Sequence, residues 1–141
     1  MIKILIDTDV ILDLLFDRKP FESEASEILA LCETKQIEGY VTAIMISNIY
    51  YLLKKTAKHH IVIESIKKLL TILNIALTDK ETIKKSLYSN FKDFEDALQN
   101  YSAENTSNIK IIVTRNIKDY KHSSLSVMTP KEFLDLLNQN F

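Results

Sequence analysis

Ile2-Lys3-Ile4-Leu5-Ile6-Asp7 decides the fold: a short, mainly apolar run that ends on an acid. Its shortness and near-uniform apolarity suit a strand buried on both faces, as in a parallel sheet. Working outward, similar runs predict strands at Gly39 to Thr42, Ile75 to Leu77, Ile109 to Val113 and Leu125 to Val127. Helix-length amphipathic segments separate them, which is the grammar of an α/β protein with a doubly wound sheet.

Those segments are Val10 to Phe16, Phe21 to Lys35, Ile44 to Lys55, Ile61 to Leu73, a helix capped by Thr78 or Asp79 and running to Leu87, and Asp93 to Glu104. Ile44 to Lys55 is apolar almost all round and is expected to be buried, whereas Ile61 to Leu73 should turn Lys67 and Lys68 outward. Thr129-Pro130-Lys131-Glu132 has the pattern of a capping box with proline at the first helical position, so a last helix should start there. No repeat or linker interrupts the chain, and residues 1–141 read as a single domain.

Composition narrows the function. Of 141 residues, 46% are hydrophobic and 26% charged, which is globular and argues against disorder. Cys32 is the only cysteine, so neither a disulfide nor a thiolate zinc site can be built within the chain, and a reduced, cytoplasmic setting fits. The opening apolar run is too short for a signal peptide and no segment is expected to span a membrane. A net charge of −1 argues against holding nucleic acid by bulk electrostatics. Local basic clusters remain, at Lys54, Lys55, Lys58, His59 and His60 and at Lys110, Arg115, Lys118, Lys121 and His122, and read as solvated surface. With Gly39 the single glycine, neither a dinucleotide fingerprint nor a P-loop can be written. The histidines lie off the acidic motifs, so a Ser-His-Asp hydrolase finds little support.

The acids carry the chemistry. In an open α/β sheet the functional crevice lies beyond the carboxyl ends of the strands. Asp7 stands there after the first strand; Thr114-Arg115-Asn116 follows the fourth, with Asp119 one turn on. If those strands are neighbours at the switch point, both groups reach one cleft. On the helix from Asp93, a 100° spacing puts Phe94, Ala97, Leu98 and Tyr101 on a buried stripe and Asp93, Asp96 and Asn100 along its margin. Asp93 and Glu95 also suit a helix first turn, where the dipole favours acids. Asp96 lies deeper and is the stronger functional candidate. Ser47, Asn48 and Tyr51 share one face of the third helix, as a core hydrogen-bond network or as part of a site. Clustered carboxylates offer oxygen ligands for Mg²⁺ or Mn²⁺.

Three motifs in this order resemble the PIN-domain nucleases, which include the VapC-type ribonuclease toxins of bacterial toxin–antitoxin pairs. Ile4-Leu5-Ile6-Asp7-Thr8-Asp9-Val10 is similar to the family's opening strand and first acid. Phe94-Glu95-Asp96-Ala97-Leu98 is similar to its central helix motif, with Asp96 at the metal-binding aspartate. Ile112-Val113-Thr114-Arg115-Asn116-Ile117-Lys118-Asp119-Tyr120 resembles the motif in which a hydroxyl and a last acid complete the site.

The resemblance implies a three-layer α/β/α fold around a central, mostly parallel five-stranded sheet, and RNA phosphodiester hydrolysis by metal-activated water. It assigns Asp7 and Asp96 to one Mg²⁺ or Mn²⁺. Asp119, with Asn116 and Asp93, would position a second ion or the attacking water, and Thr114 would orient water or phosphate. Asn48, Asp9 and Ser47 are candidate lining. Implied partners are an RNA substrate, a cognate antitoxin that covers the cleft, and a second copy in a homodimer. Two departures stand out. Asn48 occupies the place of a usual glutamate, and Asn116 follows the Thr-Arg pair where an acid is common. An amide can ligate through its carbonyl oxygen but brings no charge. These losses keep open a non-catalytic RNA- or partner-binding module. Ile4 to Leu12 also looks like the first motif of haloacid-dehalogenase-type phosphatases, with Asp7 as nucleophile and Asp9 as acid/base, but the order of the further motifs does not fit.

Overall fold

The computed structural model describes residues 1–139. Five strands, β1 (Lys3–Ile6), β2 (Glu38–Val41), β3 (Asn74–Ile75), β4 (Ile109–Val113) and β5 (Ser126–Met128), form one sheet in the order β3-β2-β1-β4-β5. Every pairing is parallel. The helices are α1 (Thr8–Leu15), α2 (Glu22–Glu33), α3 (Ala43–Lys54), α4 (His59–Ile72), α5 (Lys80–Leu87), α6 (Phe94–Glu104) and α7 (Pro130–Gln139), with a 3-10 turn at Ile117–Tyr120. Right-handed crossovers explain the layering. The chain moves outward from β1 through β2 to β3 with α1 to α4 on one face, then returns to β4 through α5 and α6 on the other. α7 comes back to pack on α2, and α6 packs on β4.

Ile4, Leu5 and Ile6 are wholly buried, as a central strand requires, together with Val41, Ile112 and Val113 from its neighbours. β1 and β4 are adjacent, the condition on which a shared cleft depends. Their register shifts between Lys3 and Ile4 and then aligns Ile6 with Val113, so Asp7 and Thr114 leave the sheet side by side. The only glycine lies in β2, where an added Cβ at Gly39 would stand 2.7 Å from Cys32 Sγ, 2.8 Å from Leu73 Cδ2 and 2.9 Å from Ile6 Cδ1. That close approach brings α2 and the end of α4 onto the sheet.

Several boundaries move for identifiable reasons. α1 begins at Thr8, earlier than expected, because Asp7 is its N-cap. α5 is capped by Asp79 rather than Thr78, whose hydroxyl pairs with Ser102 at 2.7 Å. β3 is a short edge at Asn74–Ile75, and Leu77 falls outside it, 72% exposed. β5 is one residue later than read. The capping box of α7 forms in both directions, Thr129 N donating to Glu132 Oε1 at 3.0 Å and Glu132 N to Thr129 Oγ1 at 3.1 Å.

The larger correction concerns α3 and α6. Only Met45, Ile49 and Leu53 of α3 are buried, and Tyr51 is 66% exposed, so α3 is a cleft wall rather than a core helix. In α6 the buried set is Ala97, Leu98, Gln99, Asn100, Ser102 and Ala103, while Phe94 is exposed. Small and polar side chains permit that close packing because their hydrogen bonds are met: Ser123 donates to Asn100, and Tyr120 to Gln99. Among the described residues no helix is long and apolar enough to cross a membrane.

Candidate active site

Beyond the carboxyl ends of β1 and β4 lies a cleft of about 430 Å³ whose walls include Asp7, Asp9, Glu95, Asp96 and Asp119. Lys55 is the one cationic residue in that lining. Asp7 sits at its base, only 8% exposed and held at both oxygens: Oδ1 accepts from Thr8 N at 2.8 Å and Oδ2 from Thr114 Oγ1 at 2.8 Å. Burial raises its pKa, the hydrogen bonds from Thr114 and Thr8 oppose that, and the charge of Asp119 adds to the rise. Thr114 is wholly buried and holds Asp7 in place, and its Oγ1 also accepts from Asn116 N at 3.0 Å.

Asp9 comes in from the first turn of α1. Its Oδ2 accepts from Arg115 N at 3.2 Å and Asn116 Nδ2 at 3.0 Å, while Oδ1 is buried with no hydrogen-bond partner, as is Thr8 Oγ1. Burial, then the charge of Asp7, pushes its pKa up to about 6. Asp96 comes from the first turn of α6, and burial together with the charges of Asp93, Asp7, Asp119 and Glu95 raises it to about 7. Burial, reinforced by mutual repulsion, thus favours the protonated form of carboxylates that would be ionised in water.

The remaining candidates divide. Asn116 and Asp119 line the cleft, as does Asn48, whose Nδ2 donates to Glu95 Oε2 at 3.1 Å across from α3 to α6. Asp93 is the N-cap of α6, accepting from Asp96 N at 3.0 Å, and lines a recess next to the cleft. Ser47 is exposed on α3 and is not part of the lining. Sequence reasoning passed over Tyr120 and Gln99. Tyr120 is 1% exposed, and the nearby charges of Asp7, Asp96 and Asp9 add to burial in raising its phenol pKa; its hydroxyl donates to Gln99, which lines the cleft. Arg115 is not a surface cation. It grips Asp13 with two bonds, Nε to Oδ2 at 2.6 Å and an amino group to Oδ1 at 3.0 Å, and lies 4.0 Å over the Phe21 ring. An acid inside the apolar run Val10-Ile11-Leu12-Asp13-Leu14 was the available signal.

A hard divalent cation fits this donor set by chemistry: all donors are oxygens, their charges repel, and Asp9 keeps a buried oxygen unused. Among the described residues no group of three His, Cys, Asp or Glu side chains is arranged to hold a metal ion. Mg²⁺ commonly takes one or two carboxylates and completes its shell with water and substrate phosphate.

Acids gathered at the carboxyl edge of a doubly wound sheet, at its switch point, place the chain among α/β proteins that bind their ligands there. The chain belongs to the PIN-domain family, whose model matches residues 3–118. Asp119 lies just past that match. Two solved structures are similar in fold: VapBC-1 from nontypeable Haemophilus influenzae, at 16% identity and TM-score 0.65, over 92% of this chain and 99% of that one, and VapBC2 from Rickettsia felis bound to a DNA fragment from their promoter, at 16% identity and TM-score 0.62, over 90% and 97%. No curated protein matches the sequence significantly.

Proposed function

We propose that this protein is a metal-dependent endoribonuclease, the toxin of a VapC-type toxin–antitoxin pair. The observation that carries the reading is the convergence of Asp7, Asp9, Asp96 and Asp119 on one cleft, with Asp96 raised to about 7 by burial and by its acidic neighbours. Family membership and the likeness in fold to VapBC structures support the class of partner and substrate.

Asp7 and Asp96 would hold Mg²⁺ or Mn²⁺, with Asp119 and Asn116 beside them and Asp93 as a further candidate. A bound cation would supply Lewis-acid stabilisation of charge at a phosphodiester. Thr114 and Thr8 N fix the Asp7 carboxylate, so it needs no reorientation when charge develops. Asp9 is anchored through Oδ2, while its Oδ1 is buried without a partner beside Asp7 and adds to the negative charge at the base of the cleft. Asn48 ties Glu95 back to α3 and leaves the cleft less anionic than a glutamate there would. A cognate antitoxin, a homodimeric state and a cytoplasmic setting belong to the same reading.

The test is cleavage of an end-labelled RNA pool by purified protein with Mn²⁺, Mg²⁺ or EDTA, beside Asp96→Asn. Cutting should require metal and fall in the variant to below about one hundredth, since loss even of outer-shell partners of metal ligands costs 10–100-fold. Unchanged cutting by Asp96→Asn would refute the site. A non-catalytic RNA- or partner-binding module is the second reading, favoured by the amides Asn48 and Asn116 where acids would add charge to the cleft. RNA binding with neither cutting nor metal-induced stabilisation would establish it instead.

A further inference from the structure

Next to the acidic cleft lies a smaller recess, about 60 Å³, that shares Asp96 and Asp119 with it and is otherwise lined by Lys92, Asp93, Lys118, Lys121 and His122. Three lysines from two distant stretches of sequence converge there, from the loop before α6 and from the 3-10 turn after β4. Among the described residues none of the three makes an ion pair, although acids share the same walls. Asp93 has one oxygen committed to capping α6. The backing is firm: Phe91 meets Tyr101 at 5.8 Å and both Tyr120 and His122 at 6.2 Å between ring centroids, and Tyr120 is buried.

We infer that this lysine recess is a phosphate subsite that grips the nucleic-acid backbone next to the scissile phosphodiester. The inference rests on the nuclease reading of the adjoining cleft. Unpaired ammonium groups beside a set of acids favour a ligand that alternates its demands over a short distance. One anionic group must be accepted at the lysines, and the next must sit among carboxylates, which requires a cation there. A phosphodiester chain has that character, with one anionic group per nucleotide. The recess is too small for a base, and its lysines act on phosphate as point charges, without reading sequence.

The experiment uses the full chain with Ca²⁺ in place of Mg²⁺, which takes the same carboxylate oxygens while holding cleavage back, and a short single-stranded oligoribonucleotide, titrated by fluorescence anisotropy over a range of salt. Each phosphate neutralised on a single strand contributes about −0.7 to the slope of log K against log salt. Adding Lys92→Ala, Lys118→Ala and Lys121→Ala should make the slope shallower by about 2. A charge-matched control with Lys67→Ala, Lys68→Ala and Lys85→Ala should leave it unchanged. In the otherwise wild-type protein the recess substitutions should preserve the thermal shift with Mg²⁺, which reports an intact fold and acid site. Equal slopes for the two triple variants would overturn the subsite and leave the nuclease standing, the outcome expected if the recess takes an acidic protein segment instead. A wild-type chain that neither binds nor cuts RNA would overturn both.

Discussion

Asp7 caps α1 through one oxygen and is held by Thr114 through the other, so one carboxylate joins helix initiation to the site. Its neighbours raise the cost of ionisation in the cleft, and that has a measurable sign. Burial and its acidic neighbours let native Asp96 keep its proton up to about 7, against the ordinary 3.8 of an aspartate in water. Between those pH values the native state binds more protons than the unfolded one, so metal-free stability falls as pH rises through this window and stays lower above it. Asp96→Asn should stabilise the metal-free protein at pH 8, by on the order of 1 kcal/mol once solvent screening is allowed for. The gain should fade towards pH 4 in urea unfolding; a constant difference across the range would contradict it. The Arg115–Asp13 pair acts in the opposite sense. Asp13 is 1% exposed, so Arg115→Met strands a buried charge with only Arg18 at 3.7 Å. A loss of about 3 kcal/mol is expected in denaturant melts. These roles were hard to read from sequence because Arg115 and Asp13 are 102 positions apart and a chain pattern does not report pairing.

At the scale of elements, periodicity located the strands and helices to within a few residues but misjudged two helix faces. α3 reads as apolar all round, yet it buries one narrow stripe and gives its other sides to the cleft and to solvent. α6 reads as burying Phe94, yet that side faces out, since Gln99, Asn100 and Ser102 find partners inside. Hydropathy ranks side chains by their cost in isolation and cannot anticipate a partner that cancels it. β2 offers a cleaner forecast. Gly39→Ala would press a methyl against Cys32, Leu73 and Ile6 together and should cost about 1–3 kcal/mol, lowering the melting temperature without altering metal response. A variant as stable as wild type would mean that the three side chains yield freely. The buried Cys32 thiol, pushed up to about 12, should in turn resist alkylation until the chain unfolds.

The whole molecule places its acids where two halves of the sheet diverge, and their repulsion opposes folding until something neutralises it. Adding Mg²⁺ or Mn²⁺ should therefore stabilise the wild-type protein, by about 2.7 kcal/mol at a hundredfold excess over Kd. Differential scanning calorimetry against EDTA would read this, and Asp96→Asn should lose most of the shift. An unshifted wild type would contradict cation binding at these acids. By itself the sequence determined the α/β class, the number and approximate position of the strands, the cap at Thr129, and the acidic motifs, because strand burial, helix period and capping are written within a few consecutive residues. Tertiary structure alone decided that β1 and β4 are neighbours, that Asp9 keeps a free oxygen, that Arg115 is tied to Asp13, and that Lys92 meets Lys118 and Lys121. Each of those depends on strand order and register, which are settled by how the whole core packs and not by any local run of residues.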